Sequence, residues 1–346
     1  MKSPWFVIRL QKFPLSFRLR QQVPITLLSL LLVTLVAMVI SVSYGEYPIP
    51  PFATIKTVLG LESANSDYAF IIRSLRLPRT LVAFCVGVGF AIAGTITQGI
   101  TRNPLAAPGF IGVNAGASLA AVTLLVIFPT VSITFVPVAA FLGALTVAIL
   151  IYLLAWEGGS STIRLILVGI GFNLIASALT EMMMTFGDIN NIAQALVWLT
   201  GSVYGRSWEQ LFILLPWLVI FGLLALAMTR ELNALSLGDE VARGLGNAVE
   251  WQRGILLLTS VALAAVSVAT AGAIPFVGLM APHIARKLAG GTHEGQLPVA
   301  ALIGGMLVVI ADLLGRILLA PTELPCGLIT AAIGAPFFIY LLIRKR

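Results

Sequence analysis

The side chains that could bind or react are concentrated in one polar stretch of this chain, residues 235–250, which reads LSLGDEVARGLGNAVE. Its charged residues are Asp239, Glu240, Arg243 and Glu250. Val241 and Leu245 lie four residues apart, so the stretch predicts a short helix with one apolar stripe and one charged face. Such a helix between strongly apolar segments is typical of a docking element for a soluble partner. The alternative interpretation is an ordinary solvated loop helix.

Patterns that indicate catalysis or metal binding are absent from the sequence. No Lys follows a Gly, so there is no phosphate-binding Gly-Lys-Ser/Thr loop. No cluster of His, Cys and carboxylate residues has metal-ligand spacing, and no Gly-x-Ser-x-Gly elbow occurs. We therefore predict no catalytic residue, no metal site and no cofactor. Cys85 and Cys326 fall in or beside apolar segments, and we expect buried thiols at both positions.

The elements that position these residues are membrane helices, as composition indicates. Hydrophobic residues make up 59% of the chain and charged residues 10%, against about 25% charged in soluble domains. The formal net charge of +7 requires no nucleic-acid partner, because helical membrane proteins collect Lys and Arg on the cytoplasmic side. Composition therefore predicts an all-α, polytopic membrane protein.

Ten apolar segments are candidate membrane spans, and the eighth is the weakest because Pro282 interrupts it. The segments are about 24–43, 80–99, 111–128, 132–155, 165–184, 211–229, 254–272, 276–290, 298–315 and 325–343. We divide the chain into a basic N-terminus, residues 1–23, and a single transmembrane domain, residues 24–346. The first span has no obvious cleavage site after it, so we expect it to be retained.

An even number of spans places both termini on one side of the membrane. Most of the 21 Lys and Arg residues then fall on that side. The exceptions are Lys56, Arg73, Arg76, Arg79, Arg206 and Arg316. The positive-inside rule therefore predicts cytoplasmic termini and a cytoplasmic position for residues 235–250.

A short internal repeat is present. Residues 91–96 (AIAGTI) recur as residues 269–274 (ATAGAI), an offset of 178 that also relates Pro104 to Pro282. The halves, about 80–184 and 254–343, start five spans apart, so they predict an inverted repeat of the kind found in transporters. Chance similarity between Ala- and Gly-rich helices is the alternative.

Several loop and helix-end motifs are further candidates. Arg102, Asn103 and Pro104 form a turn in which Asn103 can bond free backbone groups; the alternative role is purely structural. Pro282, His283 and Arg286 lie in the eighth span, where a lone His is more often structural than catalytic.

A second group of candidates lies on the predicted outer side. Arg76, Arg79 and Arg316 end spans there, and Asp312 precedes Arg316 by one helical turn, a spacing that can orient the guanidinium group. These arginines either dock carboxylates of a soluble partner or anchor the helix ends in the membrane interface. Residues 185–210 are too short to span, and we expect an interfacial helix there with Trp198, Tyr204 and Trp208 at headgroup depth.

Taken together, these motifs resemble the FecCD-type permeases of iron-chelate ABC importers, which serve ferric siderophores, haem and cobalamin. The resemblance extends from about residue 73 to the C-terminus. It is carried by RLPR (76–79), QGITRNPLAAPGFIGVNAGAS (98–118), LGDEVARGLG (237–246), AGAIPFVGLMAPHIAR (271–286) and ELPCGLITAAIGAPFFIYLL (323–342).

The resemblance implies a type II ABC importer permease in the cell membrane. Its implied partners are a second permease subunit, identical or homologous, two cytoplasmic ATP-binding subunits and an extracellular or periplasmic substrate-binding protein. The coupling residues would be Leu237, Gly238, Asp239, Glu240, Arg243, Leu245 and Gly246, and the docking residues would be Arg76, Arg79 and Arg316. The fifth and tenth spans would line the path, with gating at the fifth span and residues 156–164.

Two other classes of function stay open from the residues alone. An inverted repeat also permits an ion-coupled secondary transporter, although no ionisable chain lies at mid-depth to relay protons. A membrane-embedded enzyme lacks a catalytic cluster. Within the importer class, haem and cobalamin are the alternatives to an iron–siderophore complex as cargo.

Overall fold

The computed structural model describes residues 5–9, 16–45, 47–61, 66–156 and 162–344, and helices dominate them. In chain order the helices are α1 Gln22–Ser43, α2 Pro51–Leu59, α3 Ser66–Phe70, α4 Leu77–Thr101, α5 Val113–Val122, α6 Val136–Leu154, α7 Thr162–Phe186, α8 Ile189–Thr200, α9 Trp208–Ala227, α10 Thr229–Ser236, α11 Asp239–Gly244, α12 Val249–Ala271, α13 Val277–Ala289, α14 His293–Ile317 and α15 Cys326–Arg344. A π-helical turn, Ile71–Arg76, joins α3 to α4, and another, Thr123–Ile127, extends α5.

The basic N-terminus contains structure that the sequence did not predict. Strand β1, Trp5–Arg9, pairs antiparallel with β2, Ser16–Arg20, as a small hairpin before α1. Arg20 lies beside Gly290 at the end of α13, so the hairpin is attached to the helical body.

Ten helices correspond to the ten predicted spans, but they differ in length. Among the described residues, seven helical segments are long and apolar enough to cross a membrane: Gln22–Ser43, Tyr68–Thr101, Ile133–Leu154, Ile163–Phe186, Trp208–Ala227, Val249–Ala271 and His293–Ile317. The third and tenth predicted spans form shorter apolar helices, Val113–Ile127 and Cys326–Leu341. The eighth span, α13, has 13 residues, fewer than the roughly 20 that cross a bilayer unaided.

Pro282 does not interrupt α13, contrary to the prediction, since the helix continues through it to Ala289. A proline in a helix leaves the carbonyl four residues earlier without its usual donor. That carbonyl, of Gly278, packs directly against Gly94 of α4, where a methyl group would overlap it. Close packing between the two helices accommodates the broken hydrogen-bond ladder.

Two helices form the centre of the bundle. In the most apolar stretch of α4 and of α12, 83% of the residues are buried. The corresponding fraction is only 22–33% in α1, α6, α7 and α9. Helix α4 packs against α9, α12, α13 and α14. Gly87 of α4 meets Gly304 of α14 so closely that a methyl group on either would overlap backbone atoms of the other. Small residues at these crossings let the backbones approach, as is usual between membrane helices.

The packing is reciprocal between the two halves of the chain. Helix α4 packs on α14 while α12 packs on α6, and α5–α6 and α13–α14 form neighbouring pairs. The sequence offset of 178 does not superimpose the helices of the two halves. Residues 91–96 lie inside α4, whereas residues 269–274 extend past the end of α12 at Ala271. The short sequence match therefore does not align equivalent helix positions.

The bundle has two ends, which we name for their contents. The α11 face carries α10, α11, the end of α4 and the start of α14; Gly99 lies against Leu232 and His293 there. The arginine face carries the end of α1, the start of α4, the end of α14 and the start of α15, where Arg79 and Arg316 lie.

Candidate functional site

The polar stretch 235–250 contains the one short helix that the sequence predicted, α11, between the end of α10 and the start of α12. Helix α10 ends at Ser236, and α11 runs from Asp239 to Gly244. Gly238 separates them with a φ of +113°, a conformation that L side chains rarely adopt. The chain then turns again at Gly246, with a φ of +83°, before α12 begins at Val249.

Ion pairs attach this segment to α12. Arg253, with only 1% of its side chain exposed, donates to the Asp239 carboxylate at 2.5 Å. Arg243 pairs with Glu250 at 3.1 Å in a more exposed position. A buried guanidinium group needs its counter-charge, so Asp239 holds the start of α11 against α12.

The outward surface of the segment is apolar. Leu237, Val241, Leu245 and Trp251 are each at least half exposed, from 50% for Val241 to 73% for Trp251. We call these four side chains the α11 patch; Glu240 is exposed beside it. The Val241–Leu245 stripe that the sequence predicted therefore faces outward. Trp251 was missed because it lies past Glu250, at the start of the next helix.

The loop after α4 lies against the same segment. Arg102 ends α4 with a φ of +52°, and a Cβ placed on Gly238 would lie 3.2 Å from an Arg102 guanidinium nitrogen. The Asn103 side chain accepts a hydrogen bond from the Leu105 N–H at 3.0 Å, the role that the sequence suggested for it. Pro104 then turns the chain away from the helix.

A hydrogen-bonded cluster at the start of α14 holds α10 in place, and no sequence pattern predicts it. Asn233 Oδ1 accepts from the His293 backbone N–H at 2.9 Å and lies 2.7 Å from His293 Nδ1. Asn233 Nδ2 donates to Glu294 at 2.9 Å. The α11 patch is therefore connected through α10 to α14 and, through the Gly99 contact, to α4.

The motif in α13 holds neighbouring helices together. Gln296 of α14 donates to the Pro282 carbonyl at 3.1 Å. Arg286 donates to Gln98 of α4 at 3.4 Å, and the His283 ring contacts Phe337 of α15 edge-on at 5.9 Å. These contacts indicate that Pro282, His283 and Arg286 have a structural role, which is to hold α13 against α4, α14 and α15.

On the arginine face, Arg79 joins three parts of the fold. Its guanidinium group binds both carboxylate oxygens of Asp312 on α14, with a shortest distance of 2.7 Å. It also pairs with Glu323, before α15, at 2.9 Å. Asp312 is 3% exposed and pairs in addition with Arg316 at 3.3 Å, the spacing that the sequence singled out.

The other two arginines of this face cap α1. Arg76 donates to the carbonyls of Val42, Ser43 and Tyr47, and Arg316 donates to those of Ser41 and Tyr44. The last carbonyls of a helix lack partners within it, and a cation there also complements the helix dipole. Arg76, Arg79 and Arg316 are therefore all bonded inside the chain, whereas the sequence suggested outward groups.

Helix α7 carries a stripe of polar side chains on a largely apolar surface. Asn173, Ser177 and Glu181 follow at intervals of four residues, and Ser177 and Glu181 are exposed. Asn173 donates to the Gly109 carbonyl at 3.2 Å, so the top of the stripe adjoins the loop after α4. The four-residue spacing, which places the three side chains on one face of the helix, could have revealed this stripe from the sequence.

Neither a metal centre nor a disulfide is seen in the described residues. No group of three His, Cys, Asp or Glu side chains there could hold a metal ion. Cys85 and Cys326 are free and buried, which confirms the predicted buried thiols.

Comparison with known proteins gives consistent results. The model of the FecCD transport family matches residues 32–344. The chain is 46% identical over 328 residues to the probable siderophore transport system permease protein YfhA of Bacillus subtilis, covering 93% of this chain and 95% of that one. It is 41% identical to the Fe(3+) dicitrate transport system permease protein FecD of Escherichia coli, covering 89% and 94%. A solved structure described as an inward-facing metal-chelate type ABC transporter matches with a TM-score of 0.84 and 30% identity, covering 93% of this chain and 99% of that one.

Proposed function

Because the chain belongs to the FecCD transport family, we propose that it is the permease subunit of an ABC importer and forms the membrane path for an iron–siderophore complex. One structural observation carries the proposal beyond the family. Four large apolar side chains, the α11 patch, are exposed at α11 and the start of α12, where Asp239 and Arg243 are paired with Arg253 and Glu250 of α12. An exposed apolar patch with a polar surround is typical of a protein-docking surface.

The α11 patch is the contact for a cytoplasmic ATP-binding subunit in this proposal. Leu237, Val241 and Leu245 enter a groove of the partner, while Glu240, Arg243 and the glycines at 238 and 246 shape the rim. The Asp239–Arg253 pair and the Asn233–His293 cluster transmit a displacement of the segment to α12 and α14. ATP binding and hydrolysis in the partner supply the energy, and this chain itself is no enzyme.

The transport path lies along α7 and α15, and a second permease subunit completes it. Helix α7 is exposed along most of its length, since only 22% of the residues in its most apolar stretch are buried. It also carries the Asn173–Ser177–Glu181 stripe. A metal that crosses inside its chelator needs no protein ligands, only a wall with few strong contacts. The proposed gate includes the loop before α7, of which residues 157–161 lie outside the described residues.

The arginine face is the docking side for an extracellular or periplasmic substrate-binding protein. Arg76, Arg79 and Arg316 act there mainly as supports, since they hold the surrounding carboxylates and carbonyls in place. This orientation puts both termini and the α11 face in the cytoplasm, in a single transmembrane domain after residue 23.

The decisive experiment alters the patch without touching the ion pairs. Asp239 is unsuitable, because a change there would also remove the partner of buried Arg253. Val241→Glu with Leu245→Glu, expressed with the cognate ATPase and binding protein, should lower uptake of ⁵⁵Fe-siderophore at least tenfold and abolish co-purification of the ATPase. The amount of permease in the membrane should not change.

The matched control is Lys287→Glu, an exposed charge change at the end of α13 outside the segment. It should leave uptake and co-purification at wild-type levels. Normal uptake by the Val241/Leu245 double variant would refute the docking assignment. Uptake driven by an ion gradient, in vesicles that hold this chain alone, would instead identify a secondary transporter.

A further inference from the structure

A cavity of about 450 Å³ opens between α6, α8, α9 and α12, near the arginine face. Its wall includes the start of α6, the start of α9 and the end of α12, around Val136, Gln210 and Thr270. The cavity takes no part in the ion-pair clusters or the path described above. The lining is mostly apolar but also includes Thr134, Glu209, Gln210 and Thr270. Two further side chains that carry N–H groups, Arg206 and Trp198, stand out.

Both of these side chains carry buried donors without a partner. Arg206 Nε and Trp198 Nε1 are inaccessible to solvent and make no hydrogen bond. Within the described part of the chain, Arg206 has no ion-pair partner either. Burial lowers the pKa of Arg206, but a guanidinium group stays protonated at physiological pH. The cavity therefore holds a positive charge and two N–H donors that lack an acceptor.

The neighbouring polar residues do not neutralise this charge. Gln210 is committed to Ser207, whose backbone N–H and hydroxyl both bond its side-chain oxygen at 2.8 Å. Glu209 lines the same cavity but is exposed and makes no ion pair with Arg206 in the described structure. An incoming anion would therefore be close to both the Arg206 guanidinium group and the Glu209 carboxylate.

The rest of the wall is mostly apolar and is partly open to the outside of the bundle. Phe141 and Trp217 pack edge-on at 4.8 Å within it. Leu142 and Ile213, also in the wall, are 55% and 58% exposed. In a membrane protein, exposed aliphatic side chains along the helices face acyl chains.

We propose that this cavity binds an anionic phospholipid, with its phosphate on Arg206 and Trp198 and an acyl chain along Phe141 and Trp217. The apolar wall favours an amphiphile over free phosphate or a protein carboxylate, neither of which would cover it. Glu209 favours a headgroup with a single negative charge, such as phosphatidylglycerol, over one with two.

The test measures which lipid stays bound to the purified protein. Wild-type permease in mixed phosphatidylglycerol and phosphatidylcholine is examined by native mass spectrometry. We expect retention of one phosphatidylglycerol in at least fivefold preference over phosphatidylcholine. Arg206→Gln should abolish the preference, Arg206→Lys should retain part of it, and Glu209→Gln should increase it.

Lys56→Gln is the matched control, since Lys56 is a cation near the same face but outside the cavity. It should leave the preference intact. Equal retention by wild type and Arg206→Gln, an equal loss in Lys56→Gln, or displacement of the lipid by millimolar glycerol 3-phosphate would each overturn the proposal. If Arg206→Gln does not fold, brominated phosphatidylglycerol should quench wild-type tryptophan fluorescence more than Trp198→Phe fluorescence; equal quenching would also overturn it.

Discussion

At the scale of single residues, the charged side chains of this protein differ in what surrounds them, and that difference sets their role. Arg253 and Asp312 are almost completely buried, each with a counter-charge from another element. Arg243 and Glu250 pair in the open. Breaking a buried pair leaves an uncompensated charge, whereas an exposed pair contributes little to stability.

Arg79→Gln should therefore destabilise the protein by about 3 kcal/mol, since it removes the main partner of buried Asp312. Arg79→Lys should recover part of the loss, because an ammonium group cannot bind both carboxylate oxygens in the same planar fork. Arg243→Gln, at the exposed pair, should cost less than about 1 kcal/mol. Thermal unfolding in detergent measures all three; similar midpoints for Arg79→Gln and Arg243→Gln would contradict this assignment.

At the scale of helices, glycines set how closely the central elements pack. Gly87 and Gly94 bring α4 into backbone contact with α14 and α13, respectively. Gly171 of α7, by contrast, has no heavy atom within 4 Å of where a Cβ would stand. The same residue type is thus indispensable at a crossing and replaceable on an exposed helix face.

Gly94→Val should lower the free energy of unfolding by about 3 kcal/mol or more, because its side chain would overlap the Gly278 carbonyl. Gly171→Ala should have the opposite sign, stabilising α7 by up to about 1 kcal/mol through helix propensity. Folded yield and the unfolding midpoint of each purified variant report the effect. A stable Gly94→Val variant would show that α4 and α13 can separate without loss of the fold.

At the scale of the whole molecule, function depends on two ends with different surfaces. The α11 face exposes the apolar α11 patch, whereas on the arginine face Arg76, Arg79 and Arg316 are bonded to carboxylates and helix ends. Reciprocal packing of α4 on α14 and of α12 on α6 connects the ends through the bundle centre. A displacement at one end can therefore reach the other through contiguous packed helices.

The two ends should lie on opposite sides of the membrane. Both native cysteines are buried, so an introduced thiol can be labelled selectively. With an impermeant maleimide, Phe52→Cys should react in intact cells, and Asn247→Cys should react only after the membrane is opened. Reaction of Asn247→Cys from outside would reverse the orientation and remove the proposed ATPase contact.

The amino-acid sequence alone determined the class of the molecule, because apolar segments of bilayer length and a strong Lys and Arg bias are local properties. It predicted the ten apolar helices, the buried thiols and the apolar stripe of Val241 and Leu245, although not that this stripe is exposed. Joint motifs placed the chain in its family, and the comparisons agree. The sequence did not predict the hairpin near the N-terminus or the continuity of α13 through Pro282.

Only the tertiary structure decided which polar groups are free. Arg79 and Asp312 are 233 residues apart, and Asn233 and His293 are 60 residues apart, so no periodicity brings either pair together. Arg76, Arg79 and Arg316, which the sequence suggested as outward docking groups, are bonded to other parts of the chain. Arg206, which belongs to no sequence motif, has a buried N–H donor without an acceptor. Burial and pairing depend on contacts between distant segments, and those exist only once the helices have packed.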